Sequence, residues 1–217
     1  TSSTTASITP KLLGVAGMSA IDRIYDGTTT VQVQVTGAQV DLTGVVAGDQ
    51  VSVSLPPAGI TTGAMLDKHV GQDKPVSVTG LLLGGTDAAN YALTGEGALT
   101  VDIRALAVSA TFSGVDKVYD GGTAASVIGS SAGFASGDSV GISASALFTG
   151  AGAKNVGTDK PVSVSNAFLT GADRFNYVLE NRDGSTTASI TPRTLTPVYT
   201  GGSREYDGTV TAPVGVV

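Results

Sequence analysis

The chain repeats itself, and that constrains its folding more than any single motif. Ile24-Tyr25-Asp26-Gly27 returns as Val118-Tyr119-Asp120-Gly121 and again as Glu205-Tyr206-Asp207-Gly208, and a base stands two residues before each Tyr (Arg23, Lys117, Arg204). Gly48-Asp49 returns as Gly137-Asp138, and the Asp-Lys-Pro-Val-Ser-Val run from Asp73 returns from Asp159. Asn90-Tyr91-Ala92-Leu93 returns as Asn176-Tyr177-Val178-Leu179, and the octet Ser3–Pro10 is identical to Ser185–Pro192. The octets lie two periods apart, and the other matched blocks lie 86 to 94 residues apart in unchanged order. That period is one domain's worth of chain rather than one turn of a solenoid. The reading is a tail of a preceding repeat at 1–10, a first repeat at 11–103, a second at 104–192, and the start of a third, incomplete repeat at 193–217. The whole is expected to be an excerpt of something longer.

Period-two alternation dominates each repeat. Val31-Gln32-Val33-Gln34-Val35, Val51-Ser52-Val53-Ser54-Leu55 and Leu106-Ala107-Val108-Ser109 have the pattern of strands with one buried and one wet face. Gly, Asp and Asn interrupt these runs at short intervals. The 217 residues hold 30 Gly but only 3 Glu (Glu96, Glu180, Glu205) against 15 Asp, a balance that favours turns over helices. The alternation predicts strands at 11–18, 29–36, 50–55, 62–67, 74–82, 90–95 and 97–103 in the first repeat. Seven strands in about 90 residues match an immunoglobulin-like β-sandwich, so the predicted class is all-β, in tandem immunoglobulin-like repeats. The competing architecture is a β-grasp-like α+β repeat. Asp87-Ala88-Ala89-Asn90-Tyr91 resembles a tyrosine corner, in which the Tyr hydroxyl bonds back to nearby backbone. Asp173 and Tyr177 keep that pattern in the second repeat. Asp183-Gly184 predicts a hairpin between the last two strands of the second repeat.

Little in the sequence suits catalysis. The only His is His69, replaced by Asn155 in the second repeat, and the three Glu fall at unrelated places. No catalytic residue is assigned, the expectation is no enzyme, and no cofactor is called for. With no Cys, the chain has neither disulfides nor thiol chemistry. A net charge of −6 argues against nucleic acid as a partner, and no apolar run is long enough for insertion into a membrane as a helix. Asp22 with Asp26, and Asp116 with Asp120, are spaced as calcium ligands could be. No DxDxD-like string accompanies them, so no metal site is assigned. Lys74 and Lys160, heading strands beside Pro75 and Pro161, are read as solvated edge charges rather than partners in a cross-link to Asn90 or Asn176.

The sharpest motif is structural. Asp26, Asp120 and Asp207 are expected to cap a turn, and Gly27, Gly121 and Gly208 to take its positive φ. Tyr25, Tyr119 and Tyr206 would pack at a core edge, so that Tyr119→Ala costs about 3–5 kcal/mol. Together with Asp87, Tyr91, Asp173 and Tyr177 these are the residues singled out, and ligand-binding residues are left unknown.

Laid end to end, the blocks resemble a known family. The carriers are Lys117, Tyr119, Asp120 and Gly121, then Gly137 and Asp138, then Asn155, Val156, Gly157 and Lys160, then Asn176 and Tyr177, and last Ile190, Thr191 and Pro192. In that order they resemble the YDG-type repeat of large secreted bacterial adhesins, filamentous haemagglutinin-like proteins exported by two-partner secretion. Gly122 stands where Thr is usual, and Asp102-Ile103 replaces the Ile-Thr-Pro ending between the repeats. The resemblance implies a secreted, cell-surface location and a non-catalytic stalk segment, a rigid spacer in adhesion or biofilm. Its partners would be neighbouring repeats of the same chain and an unidentified host-surface or matrix glycan or protein. The alternative is a weak multivalent carbohydrate- or mucin-binding module.

Overall fold

The structure is a computed structural model and describes residues 5, 7–15, 17–35, 44–54, 59–78, 80–93 and 99–216. The first repeat supplies β1 (Lys11–Leu13), β2 (Met18–Ala20), β3 (Arg23–Ile24), β4 (Thr30–Val35), β5 (Ser52–Ser54), β6 (Gly59–Met65), β7 (Gly71–Val78), β8 (Leu82–Gly84), β9 (Tyr91–Leu93) and β10 (Thr100–Arg104). The second supplies β11 (Leu106–Val108), β12 (Thr111–Val115), β13 (Lys117–Val118), β14 (Ala124–Ser130), β15 (Gly141–Phe148), β16 (Gly157–Thr170), β17 (Tyr177–Leu179) and β18 (Gly184–Thr191). β19 (Tyr199–Gly201) and β20 (Val214–Val216) follow. The fold is all-β. Among the described residues the only helical pieces are short 3₁₀ turns such as Ala88–Asn90 and Arg174–Asn176, and a helix of the β-grasp kind is not among them.

Both repeats build the same sheet. The order β2-β4-β6-β7-β10-β3 in the first becomes β12-β14-β15-β16-β18-β13 in the second. Each sheet has edge strands that are neighbours in sequence, parted by Ile21-Asp22 in one and by Asp116 in the other, so each curls toward a barrel. The Asp in each gap ties that edge to the last strand. Asp22 accepts a hydrogen bond from the Asp102 N–H (2.9 Å), and Asp116 accepts one from the Ser189 N–H (2.6 Å).

These sheets are mixed. β3 runs parallel to β10 and β13 to β18, and separate two-stranded parallel pairs form between β1 and β9 and between β11 and β17. β5 pairs with β8 as a further antiparallel ribbon.

Packing divides the chain differently from the sequence repeats. One compact unit gathers residues 1–110, 130–143 and 168–181, and the other 111–129, 144–167 and 182–217. In the first unit the inward row Val31, Val33, Val76, Val78, Val101 and Ile103 packs with Tyr25, Val108 and Tyr177. Val31 and Val33 are buried while Thr30 and Gln32 on the other face are wet, as the alternation requires. In the second unit Phe148, Val162, Val164, Ala188 and Ile190 form the core, with Phe112 and Tyr119 partly buried against it.

Several strand expectations are corrected. The run 11–18 is two strands in different sheets, broken near Gly17 at φ 86°. The run 74–82 starts earlier, at Gly71, and its end is the separate β8. Of the strand expected at 97–103, residues 97 and 98 lie outside the described residues, and the observed strand is Thr100–Arg104. Asp183-Gly184 does not close a hairpin of β17 on β18. β18 pairs antiparallel with β16, with Val164 opposite Gly184, while β17 lies beside β11. The side chain of Asp183 accepts a hydrogen bond from the Asn166 N–H (3.2 Å) instead. Within the segment read as the start of a third repeat, Tyr199–Gly201 runs antiparallel to Val214–Val216, and both strands are exposed.

Candidate repeat-joining site

The Tyr-Asp-Gly turn is local and recurs three times. Asp26 accepts hydrogen bonds from the Thr28 N–H (2.9 Å) and hydroxyl (2.8 Å), and Asp207 accepts from the Thr209 N–H and hydroxyl, both at 2.9 Å. Asp120 accepts from the Gly122 N–H (2.9 Å), since Gly122 has no hydroxyl to add. Gly27, Gly121 and Gly208 have φ of 80°, 81° and 79°, the left-handed region that side chains avoid. The upstream base turns onto the Asp each time: Arg23 on Asp26, Lys117 on Asp120 (2.8 Å), Arg204 on Asp207. Lys117 beside Asp120, and Arg204 beside Asp207, hold those carboxyls below the ordinary carboxylate value.

What differs is where the Tyr goes. In the first compact unit Tyr25 follows β3, its N–H bonded to the Arg104 carbonyl (2.8 Å), and its ring is 1% exposed. Its hydroxyl donates to Asp138 Oδ2 (2.7 Å), 113 residues away. Tyr177 donates to the same oxygen (2.5 Å), and the Lys68 ammonium pairs with the other. The Asp138 side chain is fully shielded from solvent. The rings of Tyr25 and Tyr177 meet edge-on at 5.4 Å, and Phe134 stands edge-on to Tyr177 at 5.2 Å. A buried carboxylate is costly unless paired and hydrogen-bonded, and here three donors supply that compensation. Burial pushes the Asp138 carboxyl up, and Lys68, Tyr177 and Tyr25 more than reverse it, leaving its pKa below the ordinary value. Burial and the Asp138 carboxylate raise the Tyr177 hydroxyl to about 12, and they raise Tyr25 as well.

The loop carrying Asp138 is built by the remaining repeat motifs. Asp173 accepts from the Ser139 N–H (2.8 Å) while its own N–H bonds the Ser139 carbonyl (3.2 Å). Asp87 does the same with Gln50, at 2.8 and 3.2 Å. The backbone passes so close there that a Cβ on Gly85 or Gly171 would overlap the Gln50 or Ser139 carbonyl oxygen. Tyr177 also accepts a hydrogen bond from the Ala135 N–H (2.9 Å), and Tyr91 from the Val46 N–H (2.9 Å). These contacts span 42 and 45 residues, unlike the short reach of a tyrosine corner, and each Tyr hydroxyl spends its proton on a carboxylate: Tyr177 on Asp138, Tyr91 on Asp49 (2.6 Å).

Asn176 completes the arrangement. It is 2% exposed, accepts from the Val70 N–H (3.1 Å), and its amide lies 3.2 Å from His69 Nδ1. His69 is exposed. Asn176 is thus engaged with the Lys68–Val70 segment, while Lys160 donates to the Gly152 carbonyl (2.9 Å) and Lys74 pairs with Asp67. The Asp22 and Asp116 oxygens reach backbone N–H groups, and no cluster of metal-ligating side chains occurs among the described residues.

The site therefore unites the Tyr-Asp-Gly turn of the first sequence repeat with the Gly-Asp and Asn-Tyr blocks of the second. Asp49, Asp138 and Lys68 were not singled out from the sequence as site residues. The signal that could have found the two Asp was the Gly-Asp block itself, unchanged in both repeats, and for Lys68 it was the recurrence of that Lys as Lys154.

No curated protein and no solved structure matches the chain. A family model, that of the YDG domain, matches it twice, over residues 9–98 and 103–188. Two successive matches, each spanning one period of the repeat and together covering most of the chain, place this protein in the YDG-domain family.

Proposed function

We propose that the chain is a non-catalytic stalk segment of an extracellular bacterial adhesin, a rigid spacer at the cell surface in adhesion or biofilm. The observation that carries the reading is the Asp138 site. The Tyr of one repeat's Tyr-Asp-Gly turn is buried against the next repeat's Gly-Asp and Asn-Tyr blocks, so successive repeats share a core instead of being tethered by a linker. A shared core resists bending as a flexible linker does not. The acidic, Cys-free composition suits an exported array. Each repeat is taken as a β module of immunoglobulin size, and its parallel strand pairs are where it departs from an immunoglobulin sandwich.

Small-angle scattering on the chain, run beside a glycan array, tests the proposal. Expected are a rod-like distance distribution that shortens in Asp138→Ala and no glycan captured. A distribution indifferent to that substitution, or specific glycan capture, would overturn it.

A further inference from the structure

The completed site has two unfinished copies. The first is a socket without its plug. Tyr91 donates to Asp49 and accepts from the Val46 N–H, as Tyr177 does with Asp138 and Ala135, but the Asp49 carboxylate meets no base among the described residues. Asn90, counterpart of the buried Asn176, is exposed, and Val46, counterpart of the half-buried Ala135, is 52% exposed. The second is a plug without its socket. Tyr119 and Lys154 correspond to Tyr25 and Lys68. The Tyr119 hydroxyl has no hydrogen bond and Lys154 no ion pair among the described residues. Val156, counterpart of the core-packed Val70, is 49% exposed, and a surface hollow opens beside Tyr119, Asn155 and Val156. The two unfinished copies lie in different compact units, each built as in the completed site, and their charges are opposite.

We propose that copies of this chain join head to tail, the Asp49–Tyr91 socket of one copy receiving Tyr119 and Lys154 of another. The partner is specified by the completed site: a carboxylate held by one Tyr takes a second Tyr hydroxyl on the same oxygen and an ammonium on the other. Ile8–Lys11 line the hollow beside Asp49 and Tyr91, and Pro192, Arg193 and Leu195 the one beside Tyr119, so the proposed contact requires both segments to move aside. Association in trans lacks the covalent link that holds Tyr25 near Asp138, so it is weak and strongly concentration-dependent.

Sedimentation velocity on the full chain, from micromolar to millimolar, tests this. Expected is a weight-average mass that climbs with concentration for the native chain and stays monomeric for Asp49→Lys and for Lys154→Asp. An equimolar mixture of the two variants should recover a dimer, because the native Asp49 of one meets the native Lys154 of the other. Mixing also guards against misfolding, since each variant keeps one intact half. A native chain monomeric at every concentration, a single variant that assembles as the native chain does, or a mixture that stays monomeric would each overturn the proposal.

Discussion

Tyr25, Tyr119 and Tyr206 close the same local turn and sit in three different surroundings: buried against Asp138, half-buried against the second core, and 94% exposed. Removing only the hydroxyl reads that difference directly. Tyr25→Phe takes one donor from a shielded carboxylate and should cost about 1–2 kcal/mol, whereas Tyr119→Phe and Tyr206→Phe should stay within about 0.5 kcal/mol. Urea denaturation of the three variants side by side checks this, and equal losses would refute the account. The full aromatic penalty expected for Tyr119→Ala belongs instead to Tyr25→Ala, because Tyr119 keeps part of its ring in water. The same carboxylate sets the pH response. Asp138 has a folded pKa below its ordinary value, so it contributes stability above the ordinary carboxylate range and loses it as pH falls through the depressed value. Tyr177 works at the other end: its hydroxyl is raised to about 12, so its contribution is complete below its ordinary pKa and fades as pH climbs toward that raised value. Denaturation midpoints taken from neutral into acid should fall less steeply in Asp138→Asn than in the native chain, and a tyrosinate absorbance titration should show a late-ionising fraction that this variant loses.

Among the elements, the turns were legible and the partners were not. An Asx bond and a glycine at positive φ are decided within four residues, so Asp26-Gly27, Asp120-Gly121 and Asp207-Gly208 could be read directly from their neighbours. Strand faces were legible for the same reason, as Val31, Val33 and Val35 show. The burial of Tyr25 depends on a carboxylate 113 residues away, and no local pattern encodes that. Asp183-Gly184 carried a hairpin signal, yet the preceding strand pairs in parallel with β11, a non-local choice that overrides the turn. The turn glycines offer a test of the same distinction. A Cβ on Gly27 would meet the Ala135 Cβ at 2.8 Å, while one on Gly121 meets nothing within 4 Å. Both substitutions to Ala bear the left-handed backbone cost of about 1–2 kcal/mol, and Gly27→Ala should add about 1–3 kcal/mol of overpacking. Thermal unfolding of the pair would sink this reading if Gly121→Ala proved as damaging as Gly27→Ala.

At the scale of the molecule the question is which residues unfold together. If sequence repeats were the cooperative units, β11 and β17 would open with the rest of 104–192. The packing says otherwise: Val108 and Tyr177 share a core with Val31 and Val101, while Val162 and Ile190 belong to a different cluster. Cooperative units follow packed cores, because opening one member exposes the apolar surface of all. Val31→Ala removes fully buried methyl groups from the first core, at a cost of about 2 kcal/mol, which corresponds to roughly 30-fold faster exchange for amides that open with it. Native-state hydrogen exchange should therefore show the amides of Leu106–Val108 and Tyr177–Leu179 accelerating together with those of Thr30–Val35, while Val162, Val164 and Ile190 keep their native rates. Val162→Ala should produce the converse pattern. If the Val31→Ala effect instead stopped at the end of the first sequence repeat, the shared core would not be the unit of stability, and the case for a continuously stapled array would fail with it.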